Sequence, residues 1–211
     1  MASLAKYIDY TLLRPGCSQE EIQSLCATAA ERGYYAVCVP PYFVGDAQSL
    51  LQDKPVRIAT VIGFPHGMHL TEVKKAEALL ALQMGAHELD MVINLAAFFS
   101  GDERYVRAEL AELTKITHQR QAILKVILET AILSSEQIEI LCRWCAEEGV
   151  DFVKTSTGFA AKGAEVEIVR LMRAVLPPQV QVKASGGIRT AEQAWAMIEA
   201  GAQRIGTSTA L

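Results

Sequence analysis

Two rhythms of apolar residues run along the chain. Short β-branched runs alternate with longer stretches in which apolar residues return every three or four positions, the first rhythm fitting strands and the second helices. The strand segments are KYIDYT, YAVCVP, RIATVIGF, HELDMVIN, AILKVILE, DFVKTS, VQVKAS and QRIGTS, eight in all. Ser18 with Glu21, Ser135 with Glu136 and Gln137, and Thr190 with Gln193 are expected to cap helices that follow strands. Gly33, Gly85, Gly149 and Gly201 close helical stretches and lead into the next strand. Helix, glycine, strand is the repeated unit. It predicts parallel strands joined by crossover helices, and with eight strands a (β/α)8 TIM barrel of the α/β class, one domain over residues 1–211. The 211 residues are short for a barrel, whose usual size is about 250, and a doubly wound open sheet is the alternative.

Composition narrows the partners. Apolar residues make up 51% of the chain and charged residues 21%, enough for a sizeable core. Lys plus Arg is 20 against 24 Asp plus Glu, and no basic run tracks a phosphate backbone, so nucleic acid is not expected as a partner. No apolar run approaches the ~18 residues that span a bilayer, and MASLAKYIDYT has no signal-peptide apolar core, so no membrane partner and a cytoplasmic location are expected. Five scattered cysteines argue for reduced thiols. CRWC, residues 142–145, lies mid-helix rather than at a helix N-terminus, so its cysteines read as packing residues.

Parity along the strands separates two faces, because successive side chains point to opposite sides. Glu88, Asp90, Val92 and Asn94 share one face of their strand; Ile123, Lys125, Ile127 and Glu129 share another; Gln181, Lys183 and Ser185 a third. The opposite faces are wholly apolar, as for sides covered by helices. The polar faces then point into the barrel, where Asp90, Lys125, Lys154 and Lys183 converge from adjacent strands. Lys125, Lys154 and Lys183 stand 29 residues apart, which places them at equivalent points of successive units. Lys125 is expected to form a supporting ion pair with Glu129.

An amine attacks a carbonyl only when neutral, and at an ordinary pKa only about one lysine in 2,500 is neutral at pH 7. A second ammonium ~5 Å away disfavours the proton by about 3 kcal/mol at an effective dielectric of 20, and burial acts in the same direction. A lysine pair with an inward carboxylate is therefore sufficient for a class I aldolase, in which an imine draws electrons from the adjacent carbon so that a C–C bond breaks. By geometry alone either Lys154 or Lys183 could be the nucleophile. KASGGIRT and RIGTSTAL, after strands seven and eight, fit the usual anion-binding position of such barrels.

YIDYTLL, AVCVPP, VIGFPHG, HELDMVIN, LKVILET, DFVKTSTGF, KASGGIRT and RIGTS, in this order, resemble the deoxyribose-phosphate aldolase family almost end to end. The resemblance implies a (β/α)8 barrel without metal or organic cofactor that reversibly splits 2-deoxy-D-ribose 5-phosphate into acetaldehyde and D-glyceraldehyde 3-phosphate. It implies Lys154 as the imine-forming residue, Lys183 as its pKa-lowering and proton-relay partner, and Asp90 as general acid/base. It further implies phosphate contacts from Gly186, Gly187, Gly206 and Ser208. Asp9, Thr11, Cys38 and Thr157 are implied on the substrate side, and Lys125 is grouped with these binding positions. Phosphorylated sugars and aldehydes are then the small-molecule partners, with assembly into homo-oligomers possible. Relatives continue past strand eight into a tail ending in tyrosine that assists proton transfer, whereas the sequence stops at Leu211. The resemblance implies either a longer natural protein or a slower, less stable form. His66 and His69 make an H-x-x-H pair with no third metal ligand evident. Two alternatives stay open: another Schiff-base aldolase, or an impaired barrel that binds a phosphosugar without reacting.

Overall fold

The structure is a computed structural model and describes residues 3–211. Eight parallel strands close into a barrel in sequence order: β1 (Ile8–Thr11), β2 (Ala36–Val39), β3 (Arg57–Ile62), β4 (Glu88–Val92), β5 (Ile123–Ile127), β6 (Phe152–Lys154), β7 (Gln181–Ser185) and β8 (Arg204–Thr207). The seam joins β1 to β8 with Asp9 beside Gly206. The open-sheet alternative is thereby excluded.

Helices α1 (Gln19–Arg32), α2 (Val44–Leu51) and α3 (Thr71–Gln83) follow the first three strands. Two helices, α4 (Leu95–Phe99) and α5 (Glu103–Gln119), share the crossover after β4, and α6 (Ser135–Glu147), α7 (Val166–Val175) and α8 (Ala191–Glu199) complete the outer layer. Capping boxes start α1 at Ser18 and α8 at Thr190, as the sequence predicts. In α6 the cap is Ser134 rather than Ser135: Ser134 keeps extended backbone and stands three residues before Gln137, the spacing that a reciprocal box requires.

The alternation of each strand divides the interior in two. Outward residues such as Val37, Ile58, Leu89, Val126, Val182 and Ile205 join the helix faces in one large apolar core. Inside the barrel, Cys38, Ala59 and Val61 form a separate small cluster on the wall made by β2 and β3. The remaining inner wall, from β4 round to β1, is charged. Several strands are shorter than their sequence runs; β6 stops at Lys154, and Thr155 turns its hydroxyl to the Ser185 carbonyl at 3.1 Å. Hydroxyls beyond the strand thus serve the loops at the barrel mouth.

Candidate active site

Lys154 projects from the last residue of β6 into the barrel axis and is 3% exposed. Its Nζ donates to Asp90 Oδ2 at 2.7 Å, and Lys183 Nζ donates to the same oxygen at 2.8 Å. The register explains the meeting: Lys154 lies beside Lys183 across β6 and β7, and Asp90 beside Lys125 across β4 and β5.

Beneath this group the charges alternate around a closed ring. Asp90 Oδ1 accepts from Lys125 at 2.8 Å, and Lys125 reaches Glu88 Oε2 at 2.5 Å. Arg204 donates to that same Glu88 oxygen at 3.0 Å and to Asp9 Oδ1 at 2.9 Å. Asp9 accepts from Lys183, which returns to Asp90. Three carboxylates and three cations make the ring electroneutral in their ordinary ionised forms. Lys154 is a seventh member attached from above, and its proton is the surplus charge.

The pKa directions follow from that topology. Burial lowers Lys154, the Lys183 ammonium adds to the effect, and Asp90 opposes both without restoring the ordinary value. Burial also acts against Lys183, but the carboxylates of Asp9 and Asp90 outweigh it and hold its proton firmly. Lys125 behaves likewise under Asp90 and Glu88. Asp90 stays well below the carboxylate range because Lys125, Lys154 and Lys183 together overcome its burial. Of the two lysines that parity leaves as equals, the structure therefore distinguishes Lys154 as the more readily neutral amine.

Above Lys154 opens a cavity of about 420 Å³. Thr11, Thr157, Gly186, Gly187, Gly206 and Ser208 line it, so six of the positions expected on the substrate or phosphate side meet at one mouth. Gly186 and Gly187 have φ of 90° and 77°, and the space a Gly187 side chain would take is open. The backbone N–H groups of Gly187 and Ser208 find no acceptor among the described residues, which suits an anion. Gly206 is required by its neighbours: a Cβ there would lie 2.8 Å from Ser185 Cβ and 3.3 Å from Lys183 Cε.

Three expected positions lie elsewhere. Asp9 and Lys125 are fully buried below Lys154 in the ring, and Cys38 sits on the small apolar wall, where burial pushes its thiol up to about 11. The expected pair between Lys125 and Glu129 does not form. Lys125 is taken by Asp90 and Glu88 in the ring, and Glu129 stands two residues past the end of β5 in left-handed backbone. Glu129 instead bonds Thr157.

Four further residues belong to the site, of which the sequence pattern marks only Glu88, by its inward parity. Glu88 and Arg204 occupy inward parity in their strands and complete the ring; Arg204 also lies 3.6 Å from the Tyr35 ring centroid, closing the barrel floor. Arg14 and Arg189 line the rim of the cavity and bring positive charge to its mouth. His66 and His69 belong to no group of three or more metal-ligating side chains among the described residues. Among those residues, also, no helix is long and apolar enough to cross a membrane.

Residues 4–210 match the DeoC/LacD family of aldolases. A deoxyribose-phosphate aldolase of Thermococcus gammatolerans is 54% identical over 208 residues, covering 98% of this chain and 92% of that protein. The solved structure described as "QR15, an Aldolase" superposes with a TM-score of 0.95 at 47% identity, covering 100% of this chain and 93% of that one. A tetrameric deoxyribose phosphate aldolase from Aeropyrum pernix superposes with a TM-score of 0.92 at 36% identity, over 98% of this chain and 87% of its own.

Proposed function

We propose, from the premise that the chain belongs to the DeoC/LacD aldolase family, that it is a deoxyribose-phosphate aldolase working through an imine on Lys154. The observation that carries this reading is the neutral six-residue ring with Lys154 as its surplus cation. Losing one proton from Lys154 brings the buried site to charge balance, and that loss creates the nucleophile.

The Lys154 amine adds to C1 of open-chain 2-deoxy-D-ribose 5-phosphate, and water leaves to give the protonated imine. Asp90, hydrogen-bonded to both amines, moves protons between the reacting centre and Lys183. Removal of the C3 hydroxyl proton breaks the C2–C3 bond, and the bonding pair flows through C2 and C1 onto the imine nitrogen as an enamine. D-Glyceraldehyde 3-phosphate departs. Protonation at C2 and hydrolysis of the imine release acetaldehyde and return the neutral lysine. Gly186, Gly187, Gly206 and Ser208 would hold the phosphate, with Arg14 and Arg189 at the rim.

The free thiols of all five cysteines agree with a reducing, cytoplasmic setting. The tetrameric Aeropyrum pernix relative supports assembly of this chain with copies of itself. The test is borohydride reduction with acetaldehyde or deoxyribose 5-phosphate, followed by peptide mass mapping. An adduct on Lys154 that Lys154→Met abolishes is expected; a folded protein that binds the sugar phosphate but gives no adduct would refute the imine and favour a binding-only barrel.

A further inference from the structure

We infer that Glu129 is a positioning residue, which through one carboxylate oxygen fixes the Thr157 hydroxyl so that it meets substrate only as a hydrogen-bond acceptor. The inference rests on the aldolase reading above. Just past β5 the chain runs alongside the loop that follows Lys154: Leu128 N–H donates to the Lys154 carbonyl at 3.0 Å, and Thr130 N–H to the Thr155 carbonyl at 2.9 Å. Between them Glu129 takes left-handed backbone, φ 56° and ψ 62°. Only Glu129 and Gln121 do so among the described non-glycine residues, and Gln121 lies in the turn before β5, at the opposite end of the strand. A strained conformation of this kind persists where surrounding structure demands it, and such positions cluster at functional sites.

The contacts show what is demanded. Glu129 Oε2 accepts from Thr157 N–H at 3.3 Å and also from the Thr157 hydroxyl. Thr157 Oγ1 in turn accepts from Phe159 N–H at 3.1 Å. The hydroxyl proton and one lone pair are therefore committed, and only the second lone pair is left for the cavity that Thr157 lines. An acceptor there pairs with a substrate O–H and repels a phosphate oxygen. Among the described residues Glu129 pairs with no cation and its buried Oε1 has no partner, so its work is done by one accepting oxygen rather than by charge.

A glutamine keeps that oxygen and an alanine does not. Folded E129A is expected to show a KM for deoxyribose 5-phosphate raised about tenfold, the worth of one good hydrogen bond, while borohydride trapping of acetaldehyde, which carries no hydroxyl, stays within about twofold. E129Q is expected to recover KM to within about threefold of the parent protein. An unchanged KM in folded E129A, or E129Q as impaired as E129A, would overturn the proposal. Should E129A fail to fold, T157V removes the same hydroxyl from the other side and must raise KM likewise; no rise overturns the proposal. If the parent protein itself gives no adduct, the aldolase reading falls first, whereas normal trapping with an unmoved KM in the variants brings down the Glu129 assignment alone.

Discussion

Removing the Lys183 ammonium tests the electrostatic origin of the nucleophile. Lys154 Nζ and Lys183 Nζ lie 2.7 and 2.8 Å from one oxygen of Asp90, so the two nitrogens are no more than about 5.5 Å apart. At an effective dielectric of 20 that separation corresponds to about 3 kcal/mol of repulsion, or roughly two pKa units. In Lys183→Leu this repulsion disappears, and the carboxylate of Asp90 keeps one fewer cation. Both changes favour the protonated amine, so the Lys154 pKa rises. At neutral pH the reactive fraction should fall about 100-fold, and the activity should return progressively as pH increases. The assay is the pH dependence of kcat/KM for deoxyribose 5-phosphate cleavage, beside the initial rate of acetaldehyde trapping. A variant with intact fold and an unshifted ionisation limb would refute the coupling between the two amines.

Three further outcomes follow from the geometry. Lys74, fully buried, binds Glu109 and the Val92 carbonyl, each at 2.8 Å, so Lys74→Met should lose about 3–5 kcal/mol in urea unfolding by stranding the Glu109 carboxylate, and adding Glu109→Leu should recover much of the loss. A Cβ at Gly163 would stand 2.1 Å from the Gly186 carbonyl oxygen, so Gly163→Ala should push apart the two loops at the cavity and raise KM for the phosphorylated substrate, measured by steady-state kinetics. Burial pushes the Asp9 carboxyl up, but Lys183 and Arg204 hold it at about 2, below its ordinary 3.8. A depressed pKa contributes stability that is present above the ordinary value and is lost as pH falls through the folded one. Chemical denaturation should therefore lose about 2 kcal/mol from this group between pH 4 and pH 2, and Asp9→Asn should flatten that part of the curve.

The sequence carried the barrel because each strand needs one wholly apolar face, a pattern with period two that residues 88–92 and 123–127 state without ambiguity. Parity also brought Asp90, Lys154 and Lys183 to one place, as the structure has them. Their partners were less legible. Asp9 and Arg204 are 195 positions apart and meet only because β1 closes against β8, a relation set by the stagger of the whole barrel. Glu88 was visible at the right parity, but nothing local says that it answers Lys125 and Arg204. The pairing of Lys125 with Glu129 failed for a related reason: the partners that Lys125 takes, Asp90 and Glu88, stand across the width of the barrel, and β5 ends before Glu129.

The ring crosses the seam of the barrel, and this has a consequence for the chain before it is folded. Until β1 and β8 join, Asp9 and Arg204 cannot complete the circuit, and Lys154 is an ordinary hydrated ammonium with little appetite for carbonyls. A nascent or partly unravelled chain is thus chemically quiet toward the aldehydes its finished form handles. Reactivity rises with completion of the circle, so the rate of imine formation on Lys154 would report how much of the population is whole and closed.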